Sequence, residues 1–594
     1  MLKKLENKLN KKYIAYIIIS LFTLIAYSNS FTVPFTLDDF SSISNNHAIR
    51  RPWDLPALWN FYSGRIVAYF TFSINYFIHQ TAYEGYHIVN TLIHITNAII
   101  VFLILNNILG LSYFNRKPVQ RYRNLVSLLG AIAFATHPIQ VNAVTYVVQR
   151  IASLAAMFYL LSVLFFIRYR ITGKIKYFIL ALLTTLLAMF TKENTITIPF
   201  MLILIEFMFF LKHNNISWKK RIAIILILLL TVPIIPATPL YLGGHSQSDP
   251  GADFKASTTM DRFEYFYTQL NVIVKYIKLL FIPDNLNFDY SNDFDISKTI
   301  WENSSYISLI ILSSIGILAL LLVKKNKLVS FGILWFFMGL AVESSFISIK
   351  DVYFEHRLYF PMVGFVMFII GAIFSEARIL HRRFLFDRPM LFFTVFMSIT
   401  IAMNSVNTLH RNYIFSDSVR LWTDVVSKAP NSDRAHCILA TNYLNLVYDK
   451  PRSTDKQNLE MAEKEFNKAL AINSRNGTAH CNLSKVYLLK KEYLRCIQKA
   501  EYSNSLSKSE YAFYNMGKAY EALGNTDKAI ESYLGGYKVN NRFTFILKSL
   551  GNCYEKKKDY KNAIKYYEEF IQNNDFSGNK EIRNKVDELK KNLK

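Results

Sequence analysis

Residues 88–109 read IVNTLIHITNAIIVFLILNNIL, without one charged side chain. A bilayer core takes roughly 20 apolar residues per helix, and an uncharged run of that length rarely serves a soluble core. The same character recurs at 13–31, 178–190 and 222–235. Outward from these runs the chain has 594 residues, 52% of them hydrophobic and 15% aromatic, with a formal net charge of +25. From about residue 410 the long apolar runs stop, and Lys, Glu, Asn and Tyr take over. The expected fold is all-α in two parts, a polytopic membrane bundle over 1–410 and a soluble tail over 411–594.

The excess positive charge could serve nucleic acid, but its placement argues instead for cytoplasmic loops. About eleven spans are expected, centred near residues 23, 98, 130, 155, 183, 203, 231, 312, 338, 368 and 397. The loops between them alternate in charge. Lys3, Lys4, Lys8, Lys11 and Lys12, then 116–123, 168–176, 212–221, 324–327 and 378–388, are basic and fall on one side. The other side holds FTLDDF (35–40), HPIQVN (137–142), TKEN (191–194), the long 241–301 segment and IKDVYFEHR (349–357). The basic side is assigned to the cytoplasm, so an odd number of spans delivers the tail to the outer face. The opening MLKKLENKLNKK precedes an apolar run too long for a signal peptide, with no small-residue cleavage site, and reads as an uncleaved first helix. Segment 262–283 carries Glu264, Lys275 and Lys278 on one face and is expected to lie in the outer interface, since a span there would move 324–327 outside. Abundant Asn, Lys and Ile point to an AT-rich, bacterial genome and hence to a bacterial inner membrane.

The tail repeats itself with a period of 34 residues. Phe513, Met516, Gly517, Tyr520, Ala529 and Tyr533 are answered by Leu547, Leu550, Gly551, Tyr554, Ala563 and Tyr567. That is the tetratricopeptide (TPR) pattern, a helix-turn-helix whose small residues let two helices approach. Weaker copies hold Leu483, Ser484, Tyr487 and Ala500, and Leu439, Ala440, Tyr443, Ala462, Phe466 and Ala469, the last interrupted by an insertion near 446–456. Four units are expected to stack into an α-solenoid with a concave, peptide-binding face. The second, fifth, ninth and twelfth positions of each first helix would line it: Tyr511, Tyr514, Lys518 and Glu521, beside Phe545, Lys548, Asn552 and Glu555. The four cysteines, Cys437, Cys481, Cys496 and Cys553, match neither zinc nor disulfide spacing and read as packed small residues.

Ionisable residues of the membrane part cluster at its outer end. Asp38 and Asp39 follow the first span. Two adjacent carboxylates suit general-base work, because like charges raise one pKa, and they suit equally the N-cap of a helix starting near Phe40. No second carboxylate cluster gives them metal-ligand spacing. Arg150, read as two turns inside its helix, with Lys192, His356 and Arg357, would offer donors to a lipid phosphate, or would form ion pairs with Glu193 and Glu355. His137 before Pro138 reads as a ligand contact or a structural helix end. Asn90, His94 and Asn97 share one face of the second span and hint at a polar path, or at helix–helix hydrogen bonds.

In order along the chain come FTLDDF, YHIVNTLIHITNAIIVF, HPIQVNAVTYVVQR, TKENTITIPF, DVYFEHRLYFP and LWTDVVSKAPNSDRAH. Over essentially the whole chain this order resembles the transmembrane-and-TPR O-mannosyltransferases (TMTC-type) and their bacterial relatives, within the GT-C glycosyltransferases. The resemblance implies a transferase that uses a polyprenyl-phosphate-linked sugar as its donor substrate. It implies that Asp38-Asp39 is the family's acidic motif of the first outer loop, one carboxylate deprotonating the acceptor hydroxyl. It implies Arg150 and Arg357 at the phosphate, with Lys192 and His356 behind them. A non-catalytic TPR scaffold and a transporter of lipid-linked sugars are the two rival classes.

Overall fold

The computed structural model describes residues 2–115, 118–211, 216–235, 260–290, 294–349, 351–384, 389–449, 455–573 and 580–592. Parts of the basic loops at 116–123, 212–221 and 378–388, of the 241–301 segment, Lys350 of IKDVYFEHR, and 450–454 of the tail insertion lie outside them. All regular structure among the described residues is helical. The chain divides into two compact units, Met1–Phe288 with Phe294–Leu421, and Asp289–Asp293 with Trp422–Lys594. The expected boundary at 410 falls inside the continuous Pro389–Phe415 helix, so the division comes later, at 421.

In the first unit five described helices are long and apolar enough to cross a membrane: Tyr83–Leu109, Val147–Thr172, Glu193–Phe210, Glu302–Leu322 and Met390–Phe415. A sixth is the bent pair Arg123–Thr136 and Pro138–Val144, broken by 50°. Pro138 explains the bend, because it has no N–H to continue the ladder. Shorter apolar helices, Lys12–Ala26, Ile175–Met189, Lys327–Leu340 and Pro361–Phe374, occupy further expected positions. Among the described residues, the Trp218–Leu229 helix approaches the expected span near 231 and ends before that residue.

Helix contacts follow from small side chains. A Cβ on Gly332 would lie 2.5 Å from the Gly364 carbonyl oxygen, and one on Gly364 the same distance from the Gly332 oxygen. The Lys327–Leu340 and Pro361–Phe384 helices therefore meet backbone to backbone, as small residues allow in a bilayer. The polar face of the second expected span is turned toward neighbouring helices. Asn90 donates to the Val144 and Val147 carbonyls, His94 bonds Tyr359 Oη and the Ala135 carbonyl, and Asn97 donates to the Ser153 carbonyl and Tyr359 Oη. The Arg262–Phe281 helix opens with a capping box, Asp261 with Glu264. Its buried polar residues hold the loop that follows the Lys327–Leu340 helix: Tyr265 Oη donates to the Glu343 carbonyl, Gln269 to that of Val352, and Tyr276 to that of Phe354.

The second unit contains the four expected hairpins: Asp433–Asp449 with Asp455–Ile472, Gly477–Leu489 with Tyr493–Leu506, Glu510–Ala522 with Thr526–Val539, and Thr544–Lys556 with Tyr560–Asn573. Lys580–Asn592 follows them. The period has a physical cause at each repeated position. A Cβ on Gly517 would strike the Tyr533 ring at 2.3 Å, and one on Gly551 the Tyr567 ring at 2.4 Å. The turn position is left-handed at Gly524 and again at Lys558, where φ is 77° and 60°. Glycine takes that conformation freely, and lysine at some cost. All four cysteines are free and buried in the packing.

Candidate active site at the FTLDDF end of the bundle

The two aspartates are neighbours with opposite surroundings. Asp39 is fully buried, and its carboxylate accepts the Thr36 N–H at 3.0 Å and the Val148 N–H at 2.7 Å. It ties the FTLDDF loop to the start of the Val147–Thr172 span. It sits at the position before the short Phe40–Ser44 helix, yet its side chain does not cap that helix, which corrects the capping reading. Burial pushes its carboxyl up to about 8, against the two N–H donors and the nearby Arg150 that favour ionisation. Asp38 is exposed. Its backbone N–H donates to Tyr146 Oη at 3.0 Å, and its side chain also hydrogen-bonds the same phenol. Between loop and aspartate, Leu37 has φ +44°, a conformation that costs an L-residue roughly 1–2 kcal/mol. The Asp39 bonds hold that strained turn and present Asp38 outward.

Arg150 stands at the first turn of its helix, not two turns inside, and is fully buried. Its Nε donates to Asn90 Oδ1 at 2.6 Å, and its Nη2 to Asn75 Oδ1 at 2.7 Å and to the Tyr86 carbonyl at 3.1 Å. The guanidinium carbon lies 4.6 Å from the centre of the Phe72 ring. Nε and Nη2 are committed to the protein, which makes Arg150 a clamp between helices of the bundle. His137 is likewise structural: its Nδ1 accepts the Ile139 N–H at 3.2 Å, leaving Nε2–H to donate to the Leu280 carbonyl. Glu355 is buried against Arg411 and accepts the Asn287 N–H at 2.7 Å.

The remaining candidates converge. Lys192 pairs with Glu343 at 2.6 Å, and Glu193 takes a forked bond from Arg65, 3.0 Å from Nε and 2.9 Å from Nη2, with Tyr62 Oη at 2.9 Å. Ion pairing therefore occurs, but with partners other than those expected: Glu193 and Glu355 turn to Arg65 and Arg411. Arg357 is held by three carbonyls, those of Val352 at 3.0 Å, Asp351 at 2.5 Å and Glu343 at 3.3 Å, and makes no ion pair among the described residues. His356 lies within electrostatic reach of Lys192, Arg357 and Arg65; burial and these cations hold its pKa well below the ordinary value, so the imidazole is neutral at pH 7. Its Nδ1 is buried without a hydrogen-bond partner. Burial alone would raise the Glu343 carboxyl, but Lys192 and Arg357 hold it below the usual range. Tyr69 joins the two halves, being within reach of Asp38 and of the Arg65–Glu193 pair. Arg65 and Tyr69 are the residues sequence reasoning missed. The signal was a lone arginine in the aromatic stretch NFYSGRIVAYFTF (60–72).

In the tail, Tyr511 and Phe545 are exposed and Tyr514 is half-buried. Tyr514 lies 5.8 Å from Phe545 and 6.0 Å from Phe543, ring centre to ring centre, and Tyr511 lies 4.9 Å from Phe543. Lys485 and Lys518 both stand over the Tyr514 ring, and Lys518 pairs with Glu521 at 2.8 Å. Phe543 completes the cluster and was not anticipated.

Set beside known proteins, a bundle of apolar helices joined to helical repeats defines a class of TPR-tailed membrane proteins. Residues 511–542 and 549–575 match the tetratricopeptide repeat family model. Curated homologues are protein O-mannosyl-transferases of the TMTC type. One from Caenorhabditis elegans is 24% identical over 443 residues, covering 71% of this chain and 58% of that protein. TMTC4 of Mus musculus is 27% identical over 207 residues, 31% of this chain and 28% of that protein, and TMTC1 of Homo sapiens is 22% identical over 525 residues, 77% and 55%. The chain spans less than two thirds of the length of these relatives. Among solved structures, a crystal structure of MamA is 19% identical and covers 28% of this chain and 92% of that one, with a TM-score of 0.24.

Proposed function

We propose that this chain is an inverting glycosyltransferase that moves a sugar, mannose by analogy with the relatives' names, from a polyprenyl-phosphate donor to a hydroxyl of a protein. The observation that carries the reading is the division of labour between the adjacent acids. Asp39 is buried and bound by two backbone N–H groups, which fixes the loop; Asp38 is exposed, with the Tyr146 phenol as its side-chain partner, and faces where a substrate could reach it. In the step, Asp38 takes the acceptor hydroxyl proton as that oxygen bonds to the anomeric carbon. The bond from that carbon to the phosphate oxygen breaks, and the polyprenyl phosphate leaves with the electron pair. Arg357, which makes no ion pair among the described residues, and neutral His356, with an open Nδ1, would receive the phosphate, with Lys192 and Arg65 adding positive field. Charge of that kind, fixed before the reaction, stabilises a developing oxyanion without reorganisation.

The tail would hold the acceptor, its exposed aromatic cluster anchoring a peptide as aromatic side chains do at interfaces. The membrane part would lie in a bacterial inner membrane with a cytoplasmic N-terminus, and the acids and the tail outside. A transporter loses its main support, since Asn90, His94 and Asn97 are engaged between helices.

The test is sugar transfer from a polyprenyl-phosphate donor by purified protein, with melting temperature beside it. Asp38→Asn should cut transfer by about 10²–10⁴ with the melting temperature unchanged, the range for loss of a general base. Asp39→Asn should lower both, because the amide nitrogen cannot accept a backbone N–H. Full activity in Asp38→Asn removes the catalytic assignment and leaves a scaffold. Tyr514→Ala with Lys518→Ala should weaken binding of the protein acceptor and spare turnover of the lipid donor.

A further inference from the structure

The 34-residue period of the tail sets two grooves side by side, one filled and the other open. In the downstream groove Tyr566 is buried. Its ring stacks on Tyr554, 5.7 Å between centres and 8° between planes, and meets Tyr537 edge-on at 5.6 Å. One period upstream Tyr520 answers Tyr554, but Ser503 and Ser532 stand where Tyr537 and Tyr566 do. Both serine hydroxyls turn to backbone, Ser503 to the Gly477 carbonyl at 2.9 Å and Ser532 to that of Lys528 at 2.7 Å. What is left is a cavity of about 430 Å³, floored by Phe513, Met516 and Tyr520 and walled by Ser532. That volume is in the range of ligand pockets. Its fit can be read from the filled copy: a ring laid on Tyr520 would repeat the stack of Tyr566 on Tyr554. The exposed Lys528 reaches over the Tyr520 ring at 5.6 Å, so solvent already has access to it. The rim selects further. Glu501, from the Tyr493–Leu506 helix, and Glu531, from Thr526–Val539, both line the cavity, and both lie within electrostatic reach of the Tyr520 hydroxyl. Neither carboxylate forms an ion pair among the described residues, nor do Lys528 and Lys538 on the same rim. In the filled groove the places of the two acids are held by Gly535 and Lys565, so the acid pair belongs to the open groove. Two unspent carboxylates beside an aromatic floor complement a cation carried next to a ring.

We propose that this groove binds a peptide segment of a partner protein, through an aromatic side chain stacked on Tyr520 and a neighbouring Lys or Arg held between Glu501 and Glu531. Phe513, Met516 and Tyr520 are each offset by two residues from Tyr511, Tyr514 and Lys518, which puts them on the other side of the Glu510–Ala522 helix. The groove is therefore separate from the aromatic cluster assigned to the acceptor, and it does not depend on the glycosyltransferase reading. The experiment uses the full chain in detergent with three labelled Gly/Ser peptides of equal length, carrying Trp-Arg, Ala-Arg or Trp-Glu, read by fluorescence polarisation. The Trp-Arg peptide should bind, and Ala in place of Trp should weaken it about tenfold. Glu in place of Arg should weaken it about fivefold or more. Ser532→Tyr supplies the ring that fills the next groove, and should abolish binding without lowering the melting temperature. Glu501→Gln with Glu531→Gln alters only exposed side chains and should bring the Trp-Arg and Trp-Glu peptides to equal affinity, which decides the matter if Ser532→Tyr fails to fold. Three results overturn the proposal. Equal binding of the three peptides removes the recognition, and undiminished binding to Ser532→Tyr moves the peptide to the Tyr511–Tyr514–Phe545 cluster. Self-association of the chain that Ser532→Tyr abolishes would make the occupant a second copy.

Discussion

The tail and the FTLDDF end of the bundle use the same side chains by opposite routes. In the third tail repeat Tyr533 Oη donates to Glu521 at 2.7 Å, and one repeat later Tyr567 donates to Glu555 at 2.7 Å. Each bond spans 12 residues and recurs because the sequence recurs. At the other site Arg65 and Glu193 stand 128 residues apart, and Lys192 finds Glu343 rather than the acid beside it. Repetition makes a contact readable twice over, whereas a bond closed once by the packing of distant helices has no second copy to announce it.

The contrast should show most strongly in energetics. Lys192 and Glu343 are each about nine-tenths buried, at side-chain exposures of 10% and 9%. Lys192→Met strands a buried carboxylate and should cost about 3–5 kcal/mol, while Lys192→Met with Glu343→Met should recover most of it. In the tail Lys518 is 32% exposed against Glu521, and Lys518→Met should cost less than about 1 kcal/mol. Chemical denaturation of the full chain in detergent, followed by hydrogen exchange resolved by region, measures both. Equal losses in the two regions would erase the distinction.

What was legible follows the same line. Apolar runs gave the helices of the bundle, and Gly517, Gly551, Tyr533 and Tyr567 gave the hairpins, because both signals depend on local chain geometry. The acids were legible as a pair, but not their division, which rests on Val148 reaching back to Asp39 from a remote segment. The depth of Arg150 in its helix was misjudged for a related reason. A charged residue near a membrane helix end looks the same in sequence whether it faces a ligand or, as here, Asn75 and Asn90. Arg65 went unread because its partner is invisible without the fold.

Acidity sharpens the comparison, since the two regions should respond with opposite sign. The Asp39 carboxyl sits at about 8 in the folded chain, above the ordinary 3.8. Between those values the folded form keeps a proton that the unfolded form has lost, so stability falls as pH rises, by up to about 1.4 kcal/mol per unit, and levels off above 8. Glu521 runs the other way. Burial would raise it, but Lys518 and Tyr533 hold it below its ordinary value, so its contribution is present above the unfolded pKa and is lost as pH falls. Region-resolved exchange from pH 4 to 9 should show the bundle weakening toward pH 8 and the tail weakening toward pH 4. Asp39→Asn should flatten the first trend and Glu521→Gln the second. A bundle that strengthens toward pH 8 would mean that the Thr36 and Val148 donors outweigh burial at Asp39.

The smallest effect separates the two copies of the repeated bond. Tyr533→Phe and Tyr567→Phe each delete one buried hydroxyl, and a neutral hydrogen bond contributes about 0.5–1.5 kcal/mol net, more when the partner is charged. The environments differ in what remains. With Tyr533 cut, Glu521 still has Lys518 at 2.8 Å and the Cys553 thiol at 3.3 Å. With Tyr567 cut, Glu555 keeps Lys585 at 2.7 Å, but Asn552 loses the hydroxyl that stood 2.6 Å from its Oδ1. Tyr567 divides one proton between two acceptors, and Tyr533 gives its proton to Glu521 while also bonding Ser549; Glu521 keeps two other donors and Glu555 one, so Tyr567→Phe should cost more, by roughly 0.5 kcal/mol. Both rings stay packed against the facing glycine, so neither variant opens a cavity and the difference belongs to the hydrogen bonds alone. Equal losses would show that the repeat behaves as a strict copy, with the Asn552 contact contributing nothing; a larger loss at Tyr533 would show that Glu521, facing two repeats at once through Cys553, is the more tightly coupled acid.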